Sequence, residues 1–223
     1  MNIKERLYLI NSELPSTTKL VAVSKFHPIE TILEAYGAGQ RLFGESRPQE
    51  LKSKAEILPD DIEWHFIGHL QTNKIKMVVP YATLIHSVDT LHLLREIDSY
   101  CGRNGMTAGV LLQLHIATEE TKQGFSQEEL FGLFDRLSAG EENFPNVRFR
   151  GVMGMASLTD DEDVIRAEFA KLIAVHKHIR NYSNTYTANF DQLSFGMSSD
   201  YKIAIEMGST LVRVGTAIFG VRR

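Results

Sequence analysis

Strand-length apolar runs alternate with helix-length amphipathic segments along the whole chain, and that rhythm limits the fold more than any other feature of the sequence. The first run is Leu20-Val21-Ala22-Val23-Ser24, rich in β-branched residues and followed by Pro28. Further runs lie at Arg41-Leu42-Phe43-Gly44, 63–67, 84–88, 108–116, 147–153, 192–195 and 211–214. Between them the spacing predicts helices from Pro28 through Tyr36, closed by Gly37 and Gly39, and over 47–57, 70–79, 90–103, 126–138, 161–182 and 199–207. In the long segment 161–182 the apolar side is expected to carry Val164, Phe169, Leu172, Ile173 and Ile179. Eight strands with intervening helices and no low-complexity linker read as an α/β protein, a (β/α)8 TIM barrel occupying residues 1–223 as one domain. The helix expected after the eighth strand is missing. An N-terminal helix over 2–14, with Ile3, Leu7 and Ile10 at helical spacing, is expected to take its place in the ring. Alternation alone also fits a doubly wound open sheet, because it does not report closure.

Composition removes several classes of function. The 223 residues carry a formal charge of −4, and no basic cluster exceeds Arg222-Arg223, so no nucleic-acid partner is expected. A single cysteine, Cys101, excludes an internal disulfide and fits a reducing compartment. The start Met1-Asn2-Ile3-Lys4-Glu5-Arg6 lacks the pattern of a signal peptide, and no apolar stretch is long enough to cross a bilayer. A cytoplasmic protein without a membrane partner is the expectation.

In a barrel, every strand's carboxyl end faces one rim, where the chemistry collects. Lys25 closes the first apolar run, so its amine is expected to project beyond that strand. A lysine in an apolar pocket loses part of its proton affinity, and the free amine can attack a carbonyl. The segment alone equally fits a lysine that snorkels to solvent. The turn after strand eight, Arg213-Val214-Gly215-Thr216, offers backbone amides at Gly215 and Thr216 to a phosphate. Ser198, expected at the start of helix seven, adds a hydroxyl, although it also reads as an ordinary helix cap. Arg213 ends a buried strand and needs an acceptor, either a pyridine nitrogen or a carboxylate such as Glu206. Taken together, lysine, arginine and phosphate cradle point to pyridoxal 5′-phosphate held as an internal aldimine on Lys25. An arginine beside the pyridine nitrogen keeps that nitrogen unprotonated and mutes its electron withdrawal. A barrel enzyme acting on a phosphometabolite would use the same cradle, but would leave Lys25 and Arg213 without a joint purpose.

Several stretches carry a resemblance. They are Val21-Ala-Val-Ser-Lys25, Phe43-Gly-Glu45, Trp64-His-Phe-Ile-Gly68 with Leu70-Gln71 and Asn73-Lys74, His86-Ser-Val-Asp89, Gly124-Phe125, Gly151-Val-Met153 and the run from Ser194 to Gly220. In this order the chain resembles the pyridoxal phosphate homeostasis proteins, the single-domain family similar to the barrel domain of alanine racemase. The resemblance implies Lys25 as the attachment residue, Ser198, Gly215 and Thr216 on the phosphate, and Arg213 near the pyridine nitrogen. It further implies a monomer that governs intracellular vitamin B6, with apoenzymes that depend on the cofactor as partners. The chain departs from the family at Gly44-Glu45-Ser46-Arg47-Pro48, where Asn-Tyr is usual after Gly-Glu.

A carrier without robust turnover is the expected function, and an amino-acid racemase is the alternative. A two-base racemase needs a second base, usually tyrosine, opposite the lysine. In alanine racemases that tyrosine is implied to come from a further β domain of a partner subunit, which is not expected here. Among the seven tyrosines, Tyr201 lies nearest in sequence to Ser198. His65, His69, His86 and His115 lack metal-ligand spacing, and His65 and His86 read as hydrogen-bonded core or rim residues. His176 and His178 are expected on the exposed side of helix six, Trp64 in packing, and Asp160 to Asp163 at a solvated helix start.

Overall fold

A computed structural model of the chain describes residues 1–117, 123–182 and 184–220, so Arg222 and Arg223 lie outside the described residues. Eight parallel strands close into a barrel in chain order: β1 (Lys19–Val23), β2 (Leu42–Glu45), β3 (Glu63–Phe66), β4 (Leu84–Val88), β5 (Ala108–Gln113), β6 (Val147–Met153), β7 (Gln192–Ser194) and β8 (Leu211–Val214). The pairing of β1 with β8, from Lys19 opposite Leu211 to Ala22 opposite Val214, closes the ring and excludes an open sheet. Around it lie α1 (Ile3–Glu13), α2 (Ile29–Gly37), α3 (Pro48–Ala55), α4 (Leu91–Asn104), α5 (Gln127–Ala139), α6 (Glu162–Arg180), α7 (Tyr201–Glu206) and α8 (Thr216–Phe219).

The sheet separates two cores. Val21, Leu84, Leu111, Met153 and Leu211 fill the barrel interior. A much larger apolar layer, including Phe43, Phe66, Val110, Val152 and Val212, packs between sheet and helices. Successive strand side chains point to opposite faces, so each strand feeds both layers and reads as an unbroken apolar run.

The eighth helix is present as a single turn. It is too short to cover the β8–β1 seam, and α1 packs against both α2 and α8 there. Arg6 Nη1 donates to the Ile218 carbonyl at 3.1 Å, while Tyr201 Oη and Lys202 Nζ donate to Glu13 at 2.9 and 3.0 Å. An Asn2–Glu5 capping box starts α1.

Two local expectations are corrected. The segment 70–79 is a 3-10 helix over Thr72–Met77 rather than an α-helix. Side chains three apart eclipse in that geometry, and Ile75 and Val78 both reach the core. In α6, Asp161 caps the Asp163 and Val164 amides and leaves Val164 exposed. The buried stripe therefore runs Ile165, Phe169, Leu172, His176, Ile179. His176 falls on that stripe, not on the exposed side: it bonds the Phe190 carbonyl at 3.1 Å and stacks on the Phe190 ring.

Candidate cofactor-binding site

A cavity of about 310 Å³ opens at the carboxyl ends of the strands. Lys25, Ser198, Arg213, Gly215 and Thr216 all line it. Val23, Ile67, Met155 and Met197 add apolar surface, and Ser199 completes the lining. A small volume with apolar walls and few polar groups suits one flat, compact ligand.

Lys25 is not the last strand residue. β1 ends at Val23, but the Ser24 amide still bonds the Gly44 carbonyl at 3.0 Å, which keeps the chain on course to the rim. Phe26 then adopts a left-handed conformation, with φ of 66°, and turns the backbone away. Such a conformation is costly for a residue with a Cβ, and its surroundings hold it. The Phe26 amide donates to Glu50 at 2.8 Å, and the Arg47 guanidinium lies 4.3 Å from the Phe26 ring centre. Arg47, where the family's aromatic is usual, thus stacks on the turn that follows Lys25.

Beneath this turn sits a buried ionic cluster. Glu45 Oε1 accepts from Ser24 Oγ and Lys54 Nζ, both at 2.7 Å, and Lys54 Nζ also reaches the Ser24 carbonyl and Glu50, each at 3.0 Å. Burial pushes the Glu45 carboxyl up to about 7, against the pull of Lys54. Glu50 is also raised by partial burial, but the Phe26 amide and Lys54 outweigh that and hold it below the usual carboxylate range. Replacing Lys54 by methionine removes the cation that opposes burial, so Glu45 must take up a proton to stay buried, at a cost of about 3 kcal/mol at neutral pH. The loss is expected to shrink at pH 5, where Glu45 can take up a proton. Urea unfolding of Lys54→Met at the two pH values measures this, and equal losses at both would contradict the assignment.

At the other side of the cavity, Gly196 turns the chain after β7 with φ of 94°, and a Cβ there would come within 2.4 Å of the Ala204 side chain. Only glycine serves this turn. Ser198 does not cap α7, whose first residue is Tyr201; Asp200 accepts the Met197 amide at 2.5 Å and forms the bend ahead of the helix. The Ser198 hydroxyl is thereby released toward β8, where it accepts the Gly215 amide at 3.2 Å. Gly215 is pinned by closure, since a Cβ would lie 3.2 Å from both the Val23 carbonyl oxygen and its Cβ.

Arg213 is buried, and Glu206, the carboxylate weighed as the alternative to a pyridine nitrogen, is not its partner. Glu206 pairs with Arg166 at 2.6 Å instead. The Arg213 Nη1 donates to the Ser194 carbonyl at 2.9 Å and to Ser194 Oγ at 2.6 Å, and Nη2 to the Gly154 carbonyl at 3.1 Å. Burial lowers the guanidinium to about 10, opposed by Asp200. Ser194 Oγ in turn meets His86 Nδ1 at 2.9 Å, and His86 Nε2 meets His65 Nδ1 at 2.9 Å. Sequence reading takes the two histidines as hydrogen-bonded core or rim residues but misses their link through Ser194 to Arg213. Their inward strand positions were the available signal.

Tyr201, the nearest tyrosine in sequence, turns away from the cavity, and its hydroxyl donates to Glu13 on α1. No tyrosine, histidine or carboxylate is among the described residues that line the cavity. No group of three or more metal-ligating side chains occurs among the described residues, and none of their helices is long and apolar enough to cross a membrane.

Comparison with known proteins places this arrangement. The alanine racemase N-terminal domain family matches residues 1–223. The chain is 39% identical over 206 residues to the pyridoxal phosphate homeostasis protein of Aquifex aeolicus, covering 92% of this chain and 87% of that protein. Its fold superposes on PipY of Synechococcus elongatus PCC7942 with pyridoxal phosphate bound, at a TM-score of 0.88 and 36% identity, covering 98% and 100% of the two chains. Alanine racemase from Bartonella henselae shares the fold alone, with a TM-score of 0.72 and 18% identity over 98% of this chain and 58% of that one.

Proposed function

Because this chain belongs to the pyridoxal phosphate homeostasis proteins, a family built on the alanine racemase N-terminal domain, we propose that it binds pyridoxal 5′-phosphate in the rim cavity. On this reading it holds and releases the cofactor in the cytoplasm, as a monomer, for apoenzymes that need it, and has no robust turnover of its own. The observation that carries the reading is the convergence of Lys25, Ser198, Arg213, Gly215 and Thr216 on one small cavity.

The donor set fits the group. When bound, pyridoxal phosphate supplies an aldehyde that condenses with an amine, with loss of water, and an electron-withdrawing pyridine. Lys25 is the amine at the rim. Ser198 and the amides of Gly215 and Thr216 serve the phosphate, a role supported by the hydrogen bond from the Gly215 amide to the Ser198 hydroxyl, which holds these two groups side by side. Val23, Ile67, Met155 and Met197 flank a flat ring. Arg213 holds its protons and does not transfer one to the ring nitrogen.

Among the described residues that line the cavity, no tyrosine, histidine or carboxylate accompanies Lys25, which supports holding over turnover because racemisation needs a second proton carrier. Titrating the protein with pyridoxal phosphate, reducing with borohydride and mapping the label tests the binding. The expected result is one cofactor fixed on Lys25 and no interconversion of D- and L-alanine. A label elsewhere would defeat the site assignment, and sustained racemisation would replace the carrier reading with the enzyme.

A further inference from the structure

The barrel axis carries an unbroken polar line from the rim cavity toward the opposite mouth: Arg213, Ser194, His86, His65. His65 lines a second cavity of about 350 Å³ at the amino-terminal ends of the strands, together with Lys19, Arg148 and Arg150. Val21, Leu84, Leu111, Met153 and Leu211 share the barrel interior, and all four polar residues are buried, so a hydrogen bond left unmade there is costly.

Elementary hydrogen-bond chemistry gives the line a direction. A guanidinium only donates, so Ser194 Oγ accepts from Arg213. Among the described residues the hydroxyl has one other neighbour, His86 Nδ1, and its single proton goes there. His86 Nδ1 is therefore bare and its proton sits on Nε2, which donates to His65 Nδ1. His65 must then carry its own proton on Nε2. We propose that Ser194 and His86, backed by His65, are positioning residues that hold the Arg213 guanidinium in one orientation, with both imidazoles kept neutral in the Nε2–H form.

Three of the five guanidinium N–H bonds are committed, to Ser194 O, Ser194 Oγ and Gly154 O. The Arg213 side chain cannot rotate without abandoning Ser194, and Ser194 cannot follow without leaving His86 Nδ1 unpaired. The hydrogen bonds along the line all run away from the rim cavity, so Ser194, His86 and His65 offer no proton to a molecule bound there, and the two uncommitted N–H bonds of Arg213 are the donors the line leaves for it. Burial above all, and then the charge around the line, keep the imidazoles neutral. His86 lies fully buried beside His65 and Arg213, and His65 faces Lys19; of the carboxylates near the line, Glu63 shares the second cavity with His65, and Asp200 acts on Arg213. This inference rests on the cofactor reading only for what Arg213 faces.

Nitrogen NMR of the uniformly labelled, cofactor-free protein tests the line directly. Both imidazoles should show the neutral Nε2–H pattern from pH 5 to pH 8, and the Arg213 Nη protons should give separate, slowly averaging signals. Ser194→Ala and His86→Leu should collapse those signals. His86→Asn, whose amide oxygen can accept where Nδ1 does, should preserve them. With pyridoxal phosphate as probe, binding should weaken about ten-fold in Ser194→Ala and His86→Leu, the equivalent of one lost charged hydrogen bond. Thermal melts establish that each variant folds, and Ser194→Ala, the smallest change, serves if His86→Leu does not. A His86 proton on Nδ1, an imidazolium, or Arg213 signals unchanged in Ser194→Ala would overturn the proposal. Wild-type protein that takes up no cofactor would defeat the binding reading instead, while the nitrogen spectra still decide the line.

Discussion

Replacing Lys25 by alanine is expected to abolish covalent uptake of pyridoxal phosphate and to weaken total binding at least a hundred-fold, about 2.7 kcal/mol. The amine cannot be replaced by any other group that lines the cavity. Ser198, Gly215 and Thr216 offer hydrogen bonds only, and the Arg213 guanidinium stays protonated at neutral pH. What remains in Lys25→Ala is phosphate recognition and apolar contact with Val23, Ile67, Met155 and Met197. Lys25→Arg separates the two contributions of the side chain: it keeps a positive charge at the rim without a nucleophile. It should lose the borohydride-fixed label as completely as alanine does, yet bind the intact cofactor more tightly than alanine. Mass spectrometry after reduction reads the label, and equilibrium dialysis reads the affinity. An undiminished label in Lys25→Ala would remove Lys25 from the site.

The second large effect is on stability in acid. Burial lowers His65 and His176 from 6.5 to about 4, and His86 well below its ordinary value. For each, the folded protein binds its proton less readily than the unfolded chain. Their stabilisation is present above pH 6.5 and disappears as pH falls toward and through 4. For His65 and His176 the depression corresponds to about 3 kcal/mol each when fully expressed. Glu45 acts in the opposite sense. Its carboxyl is raised from 4.5 to about 7, so its contribution is complete below pH 4.5 and is lost as pH rises through 7. Three histidines outweigh one carboxyl. Urea midpoints are therefore expected to fall steadily between pH 6.5 and pH 4. His176→Gln, which retains a donor for the Phe190 carbonyl but does not titrate, should flatten the slope by about one proton. A midpoint that is level or rises over that range would contradict the neutral, buried state of these imidazoles.

Much of the architecture is legible in the sequence. The strands 84–88, 147–153 and 211–214 occur as read, because continuous apolar runs bounded by turn residues or Pro80 admit one local conformation. Lys25 and the Gly215-Thr216 turn reach the same rim because strand direction follows from the alternation, and parallel strands deliver all their carboxyl ends to one side. Ser198 joins them for a reason the sequence does not show. Its place before helix seven fits a phosphate donor and an ordinary helix cap equally; in the structure it does not cap that helix and meets the Gly215 amide from a bend held by Asp200.

What the sequence determined by itself is the succession of elements and the residue types at the rim, since both follow from short-range patterns of period and turn chemistry. Tertiary structure alone decided closure, which needs Lys19 beside Leu211 across nearly the whole chain. It also decided the phase of α6 that buries His176, and the choice of Ser194 and Gly154 as the protein partners of Arg213. A buried polar group takes whatever partner the packed barrel places within hydrogen-bonding distance, and that neighbour is fixed by three-dimensional packing rather than by position along the chain.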